Sequence, residues 1–231
     1  MTDNLPAPLA LIGMSGAGKS YWSHKLATYG YLRIGCDDRI ADHLQTLPNQ
    51  SGSSTRRMAD WMGLPFDPGY AEAERQYMGC EVAVTEEICE LLENTPAEQP
   101  VVIDTTGSLV YVGEALLKRF KSLATLVYLS MPTEFSEPLY KTFLNDPKPM
   151  VWQGHFTPRP GEGNDATLAR CLPELLESRR RDYSALADHQ LDFQTLRKPG
   201  MEIQDFLHLA TSKAPPDSGL AFLLKAKQRR I

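Results

Sequence analysis

Residues Gly13-Met14-Ser15-Gly16-Ala17-Gly18-Lys19-Ser20 fit the spacing G-x-x-x-x-G-K-[ST]. The physics of a phosphate cradle explains each residue type. Gly13, Gly16 and Gly18 let the backbone wrap closely round an anion, with N–H groups turned inward. Met14, Ser15 and Ala17 complete that loop. A helix opening at Lys19 would aim its positive end at the same anion. The Lys19 ammonium can reach β- and γ-phosphates, and the Ser20 hydroxyl can ligate Mg²⁺. The chemistry expected is phosphoryl transfer from ATP. A glycine-rich turn that merely caps a helix is the competing reading. The apolar run before the loop and the helical pattern after it favour the phosphate role.

Other polar residues stand at the ends of apolar runs. Asp104 follows Val101-Val102-Ile103, so a strand would carry it to its carboxyl end, where open α/β sheets place their ligands. It is a candidate Mg²⁺ ligand beside Ser20, or a cap for the turn Thr105-Thr106-Gly107. Asp37 and Asp38 follow the chain's second strand, Tyr31 to Ile34. Either caps the following helix, and Asp37 equally suits a carboxylate that orients or deprotonates an acceptor hydroxyl. Lys148, His155 and Arg159 lie in a long loop rich in proline and glycine. That loop is a candidate lid that excludes water and brings a cation to the phosphoryl group. Arg179-Arg180-Arg181 lie on the helix after it, where runs of this kind are mostly solvated but one member can grip an anion with both arms.

These residues need a frame, and the hydrophobic pattern supplies one. Strands are expected at Leu9 to Ile12, Tyr31 to Ile34, Val101 to Ile103, Leu123 to Leu129 and Leu191 to Phe193. Helices are expected from Lys19 to Tyr29, Asp37 to about Leu47, Tyr70 to Asn94, Glu114 to Ser122, Thr133 to Leu144, Thr167 to Asp188 and Met201 to Thr211. The alternation of strand and helix predicts a three-layer α/β fold with a parallel sheet. Residues 48–69 read as an insertion of turn-forming residues around a short helix, residues 147–166 as the lid, and residues 213–231 as a basic tail. All 231 residues read as one domain.

Composition narrows the function classes. A formal net charge of −5 disfavours general nucleic-acid binding. The basic cluster Lys225, Lys227, Arg229 and Arg230 reads first as a solvated tail and second as a phosphate-binding arm. Cys36, Cys80, Cys89 and Cys171 form no C-x-x-C pair, which suits reduced thiols in a cytoplasmic protein. The start lacks the basic stretch of a secretory signal, and no apolar run approaches the roughly 18 residues of a membrane span. The sequence sets no oligomeric state, and a monomer is compatible with it.

The ordered motifs resemble shikimate kinase, within the nucleoside-monophosphate-kinase-like group of P-loop proteins. Leu11-Ile12-Gly13 through Ser20 is similar to that family's opening, and Ile34-Gly35-Cys36-Asp37-Asp38-Arg39-Ile40 to its D-T-D-x-x-I segment. Arg179-Arg180-Arg181-Asp182-Tyr183-Ser184-Ala185-Leu186-Ala187-Asp188 is similar to R-x-x-x-Y-x-x-x-A-D, and Lys148-Pro149 falls where the lid has R-P. The resemblance implies a P-loop NTPase fold with a five-stranded parallel sheet, a lid and a helical substrate-binding insertion. It implies that Asp37 meets the acceptor hydroxyl, that Gly107 belongs to the substrate loop and that Arg179 grips a substrate carboxylate. The chain departs from the pattern at three places. Gly35 replaces the first aspartate of D-T-D, and Thr106-Gly107-Ser108 replaces G-G-G. If Glu81 is the glutamate of F-R-x-x-E, Met78 replaces its arginine, with Arg75 one helical turn away.

The expectation is therefore an ATP-dependent kinase with Mg²⁺, acting on a hydroxyl of a small, anionic metabolite. Lys19, Asp37 and Lys148 would serve catalysis. Residues 13–20 would bind nucleotide, Asp37, Gly107 and Arg179 the acceptor, and Ser20 and Asp104 the metal. Two rivals remain at this point. A nucleoside or nucleotide kinase would need base-stacking aromatics in its second pocket, near Trp61, Phe66 and Tyr77. A non-catalytic ATP sensor would bind nucleotide and turn nothing over.

Overall fold

The computed structural model describes residues 6–44, 47, 52–94, 98–132 and 148–211. Strands β1 (Leu9–Ile12), β2 (Leu32–Gly35), β3 (Val101–Asp104), β4 (Thr125–Ser130) and β5 (His189–Asp192) form one sheet in the order β2-β3-β1-β4-β5. Every neighbouring pair is parallel. β1, β3 and the middle of β4 are buried along their length, as strands covered on both faces must be, and they read as unbroken apolar runs. The edge strands β2 and β5 alternate with exposed residues.

Helices connect and flank these strands. They are α1 (Lys19–Thr28), α2 (Cys36–His43), α3 (Ser54–Met62), α4 (Tyr70–Asn94), α5 (Glu114–Leu123), α6 (Asn164–Leu186), α7 (Phe193–Leu196) and α8 (Ile203–Thr211). Local chemistry sets several ends. Gly30 follows α1 with φ of 96°, where a side chain would be strained. Ser53 caps α3 by accepting from the Arg56 N–H. Asp192 caps α7 by accepting from the Thr195 N–H. That cap explains one departure from expectation. Phe193 opens a helix instead of ending β5, and the strand starts two residues earlier and ends one residue earlier.

The core joins the sheet to both helical layers. Trp22 of α1 stacks on Phe206 of α8, with ring centroids 4.5 Å apart. Tyr128 of β4 meets Tyr183 of α6 at 5.3 Å. Offset aromatic pairs of this kind contribute about 0.5–1.5 kcal/mol beyond the area they bury. They tie α1 and α6, the two helices that carry Lys19 and Arg179, to the rest of the fold. The helix expected over 133–144, the tail over 213–231 and part of the 48–69 insertion lie outside the described residues.

Candidate active site

The loop after β1 turns hard against β4. A β-carbon built at Gly13 would stand 2.8 Å from the Leu129 carbonyl oxygen, and Gly13 has φ of 140°. Gly16 and Gly18 also have positive φ, and Gly18 is the left-handed residue before α1. No side chain caps α1 and no acidic residue lies in its first turn. Its N-terminal N–H groups and dipole therefore face the loop uncompensated. Lys19 is buried and donates to the carbonyl oxygens of Gly13 at 2.8 Å and Met14 at 3.1 Å. Burial lowers its pKa, while Asp104 and Asp37 pull it back up.

A cavity of about 350 Å³ opens over this loop. From the loop and α1 it is lined by Met14, Ser15, Gly16, Gly18, Lys19 and Ser20. Asp37 at the start of α2, Gly107 after β3, Lys148 and Arg179 of α6 close it. Four elements thus deliver to one space the residues expected to bind phosphate, activate an acceptor and hold an anion. Gly13 and Ala17 shape the loop without lining the cavity.

The charged groups round it are perturbed by their surroundings. Burial pushes Asp37 up to about 6; Lys19 opposes the shift, and Asp104 and Asp38 add to it. Arg179 is 4% exposed. Its guanidinium donates to the Val151 carbonyl, lies near the Met150 sulfur, and rests 5.3 Å from the Tyr111 ring centre. No carboxylate among the described residues pairs with it. Tyr183, one turn along α6, donates to the Gly107 carbonyl at 2.5 Å and so fixes the loop after β3 beside Arg179.

Glu81 lies behind that loop. It is 2% exposed and accepts hydrogen bonds from the hydroxyls of Thr106 and Ser108. Burial drives its pKa up to about 7, and the two hydroxyls oppose the shift. The Thr106-Gly107-Ser108 loop is thus anchored by side chains. Arg75 faces away, paired with Glu72 on an exposed surface, and Met78 packs against the core. Thr55 and Tyr77 also line the cavity; Thr55 was not expected as a site residue, and Tyr77 only as a base-stacking aromatic of the nucleotide-kinase alternative. The signal for Tyr77 was its aromatic ring on α4 and for Thr55 only its place in the insertion.

Asp104 stands apart. Its Oδ2 accepts from Arg33 Nη2 at 2.8 Å and from Ser23 at 3.1 Å, and it does not line the cavity. Ser20 does line it and is exposed. A magnesium ion asks for one or two carboxylates beside substrate phosphates. The residues present do not fit that demand through Asp104, because it lies outside the cavity lining and its Oδ2 already holds a guanidinium. No group of three or more His, Cys, Asp or Glu side chains among the described residues is arranged to hold a metal.

Comparison with solved structures agrees with this frame. A shikimate kinase from Acinetobacter baumannii in complex with shikimate matches 99% of this chain and 96% of its own, with a TM-score of 0.55 and 16% identity. The chain has a shikimate kinase-like P-loop fold. A shikimate kinase from Bacteroides thetaiotaomicron matches 96% of this chain and 98% of its own at a TM-score of 0.49 and 16% identity. A sulfotransferase domain from the curacin biosynthetic pathway matches 94% and 77% at a TM-score of 0.48 and 14% identity. No family model matches the chain, and no curated protein matches its sequence.

Proposed function

We propose that this protein is an ATP-dependent kinase that phosphorylates a hydroxyl of a small, anionic metabolite. One observation carries the reading. Arg179 is buried in the wall of a phosphate-loop cavity with no carboxylate partner among the described residues. Glu81 acts on the guanidinium only through space, and a buried cation with no carboxylate in contact is expensive, so the site suits an anion from outside. In this reading that anion belongs to the acceptor, bound opposite the nucleotide.

The residues divide the work. The loop from Gly13 to Ser20 holds the triphosphate through backbone N–H groups and the α1 dipole. Lys19 leaves the Gly13 and Met14 carbonyls for the β- and γ-phosphates. Arg179 grips the acceptor's anionic group, with Gly107 leaving room beside it. Asp37 takes the acceptor's hydroxyl proton. The freed oxygen forms a bond to the γ-phosphorus, and the bond from that phosphorus to the β,γ-bridging oxygen breaks, releasing ADP. Lys148 enters with the lid and offsets charge on the transferring group. Mg²⁺ is the ion that ATP chemistry on this fold implies, and Ser20 is the expected ligand that lines the cavity.

The nucleotide-acceptor alternative loses support. Of its three aromatics, Tyr77 lines the cavity, while Phe66 packs on Phe156 at 6.0 Å and Trp61 borders a separate hollow. No helix among the described residues is long and apolar enough to cross a membrane, and the four cysteines are unpaired. We place the protein in a reducing cytoplasm on that chemistry. The test is ATP-dependent ADP release with a panel of hydroxy acids, shikimate among them. Lys19→Ala should fold and lose turnover, and full turnover in that variant would remove the proposal.

A further inference from the structure

Arg33 sits on the edge strand β2, yet its guanidinium turns inward across the carboxyl ends of β2 and β3. Nη2 lies 2.8 Å from Asp104 Oδ2, and Nε donates to the Ser23 hydroxyl at 2.9 Å. That hydroxyl shares its proton between Asp104 Oδ2 at 3.1 Å and the Ser20 carbonyl at 3.0 Å. Nη1 lies 3.5 Å from Asp38 Oδ2. The guanidinium is thus tied through Ser23 to the backbone carbonyl of Ser20, in the first turn of α1.

Gly35 makes this arrangement possible. It pairs in register with Asp104 across β2 and β3. A β-carbon there would stand 2.8 Å from Arg33 Nη1, 3.1 Å from Nη2 and 2.8 Å from Asp38 Oδ2. A side chain at position 35 would require the Arg33 guanidinium and the Asp38 carboxylate to shift from these positions.

We propose that Arg33, outside the cavity lining, occupies the Asp104 carboxylate that a divalent ion would use, so that Mg²⁺ adds little to nucleotide affinity in this chain. An ion on Asp104 Oδ2 would have to displace a charge-assisted hydrogen bond, and an ion on either oxygen would lie beside a guanidinium. Mg²⁺ carried in on the nucleotide meets Ser20 and phosphate oxygens alone. The inference rests on the phosphate loop binding a nucleotide.

Calorimetric titration with ADP, in Mg²⁺ and in EDTA, reads the inference directly without turnover. In the wild-type protein the two dissociation constants should differ by less than about tenfold, within the low range of ordinary coupling between ligands. Arg33→Met keeps the side-chain stem, frees Asp104, and should raise that ratio by about tenfold or more. Arg33→Met combined with Asp104→Asn should return it to the wild-type value. A wild-type ratio above about tenfold overturns the inference even if Arg33→Met fails to fold. An unchanged ratio in folded Arg33→Met also overturns it. A wild-type protein that binds no ADP in either buffer overturns the kinase reading itself, and this inference with it.

Discussion

Gly107 keeps open the space beside Arg179: a β-carbon at position 107 would lie 3.5 Å from Arg179 Nη1. That separation is ordinary contact, and the Tyr183 hydroxyl, which donates to the Gly107 carbonyl, would lie 3.9 Å from the same β-carbon. Gly107→Ala should therefore fold with unchanged stability, whereas Gly107→Leu should fill the acceptor space. The readout is acceptor KM at saturating ATP. It should rise strongly in Gly107→Leu and little in Gly107→Ala. Equal effects would place the acceptor elsewhere.

Arg179 itself makes a sharper case. A guanidinium grips a carboxylate with two parallel hydrogen bonds, and an ammonium cannot. Arg179→Lys should lose much of the about 2–5 kcal/mol that truncating a buried charged pair removes. Acceptor binding measured by calorimetry would show this, with ADP affinity unchanged. A parallel fall in ADP affinity would mean that Arg179 serves the nucleotide.

Asp37 predicts a pH profile. Its carboxyl is pushed up to about 6, chiefly by burial, so its basic form fills in as pH rises through that value. The kcat/KM should climb through about pH 6 and level off above it. Asp37→Asn should cost about 10²–10⁴ in rate and abolish that limb. A limb that survives the substitution belongs to another group.

Glu81 predicts a stability profile of the opposite slope. Burial raises it from 4.5 to about 7 in the folded chain. Between those values the folded protein holds the proton more tightly than the unfolded one. Its contribution is fully present below about pH 4.5 and is lost as pH rises through about 7. Glu81→Gln should flatten that part of the curve in urea unfolding at several pH values. A wild-type slope in the variant would assign the effect elsewhere.

Gly13 predicts a purely steric effect. It combines a φ of 140° with an approach of 2.8 Å to the Leu129 carbonyl. Gly13→Ala should destabilise the fold by about 1–3 kcal/mol through backbone strain. Urea unfolding checks it, and an unchanged midpoint would contradict the tight turn.

The phosphate loop was legible in the sequence because its chemistry is local: glycines, lysine and serine lie within eight residues that one turn and one helix end must hold. The strand–helix alternation was legible for the same reason. What escaped depends on strands far apart in sequence. Gly35 read as a missing aspartate, but its space is filled by Arg33 reaching Asp104 across 71 positions. Only the pairing of β2 with β3 brings those groups together. Glu81 was visible as a possible family glutamate, yet its role as anchor of Thr106 and Ser108 required α4 to lie behind the loop after β3. The end of β5 was misplaced because Phe193 is apolar, and the Asp192 cap that starts a helix there outweighed strand propensity.

The most direct test of the central claim is ADP release in a coupled assay, with each hydroxy acid of a panel present and absent. The account predicts that at least one carboxylate-bearing acceptor stimulates release in the wild-type protein, and that Lys19→Ala and Arg179→Ala each abolish the stimulation. A folded protein that binds ATP and releases no ADP with any acceptor would contradict it.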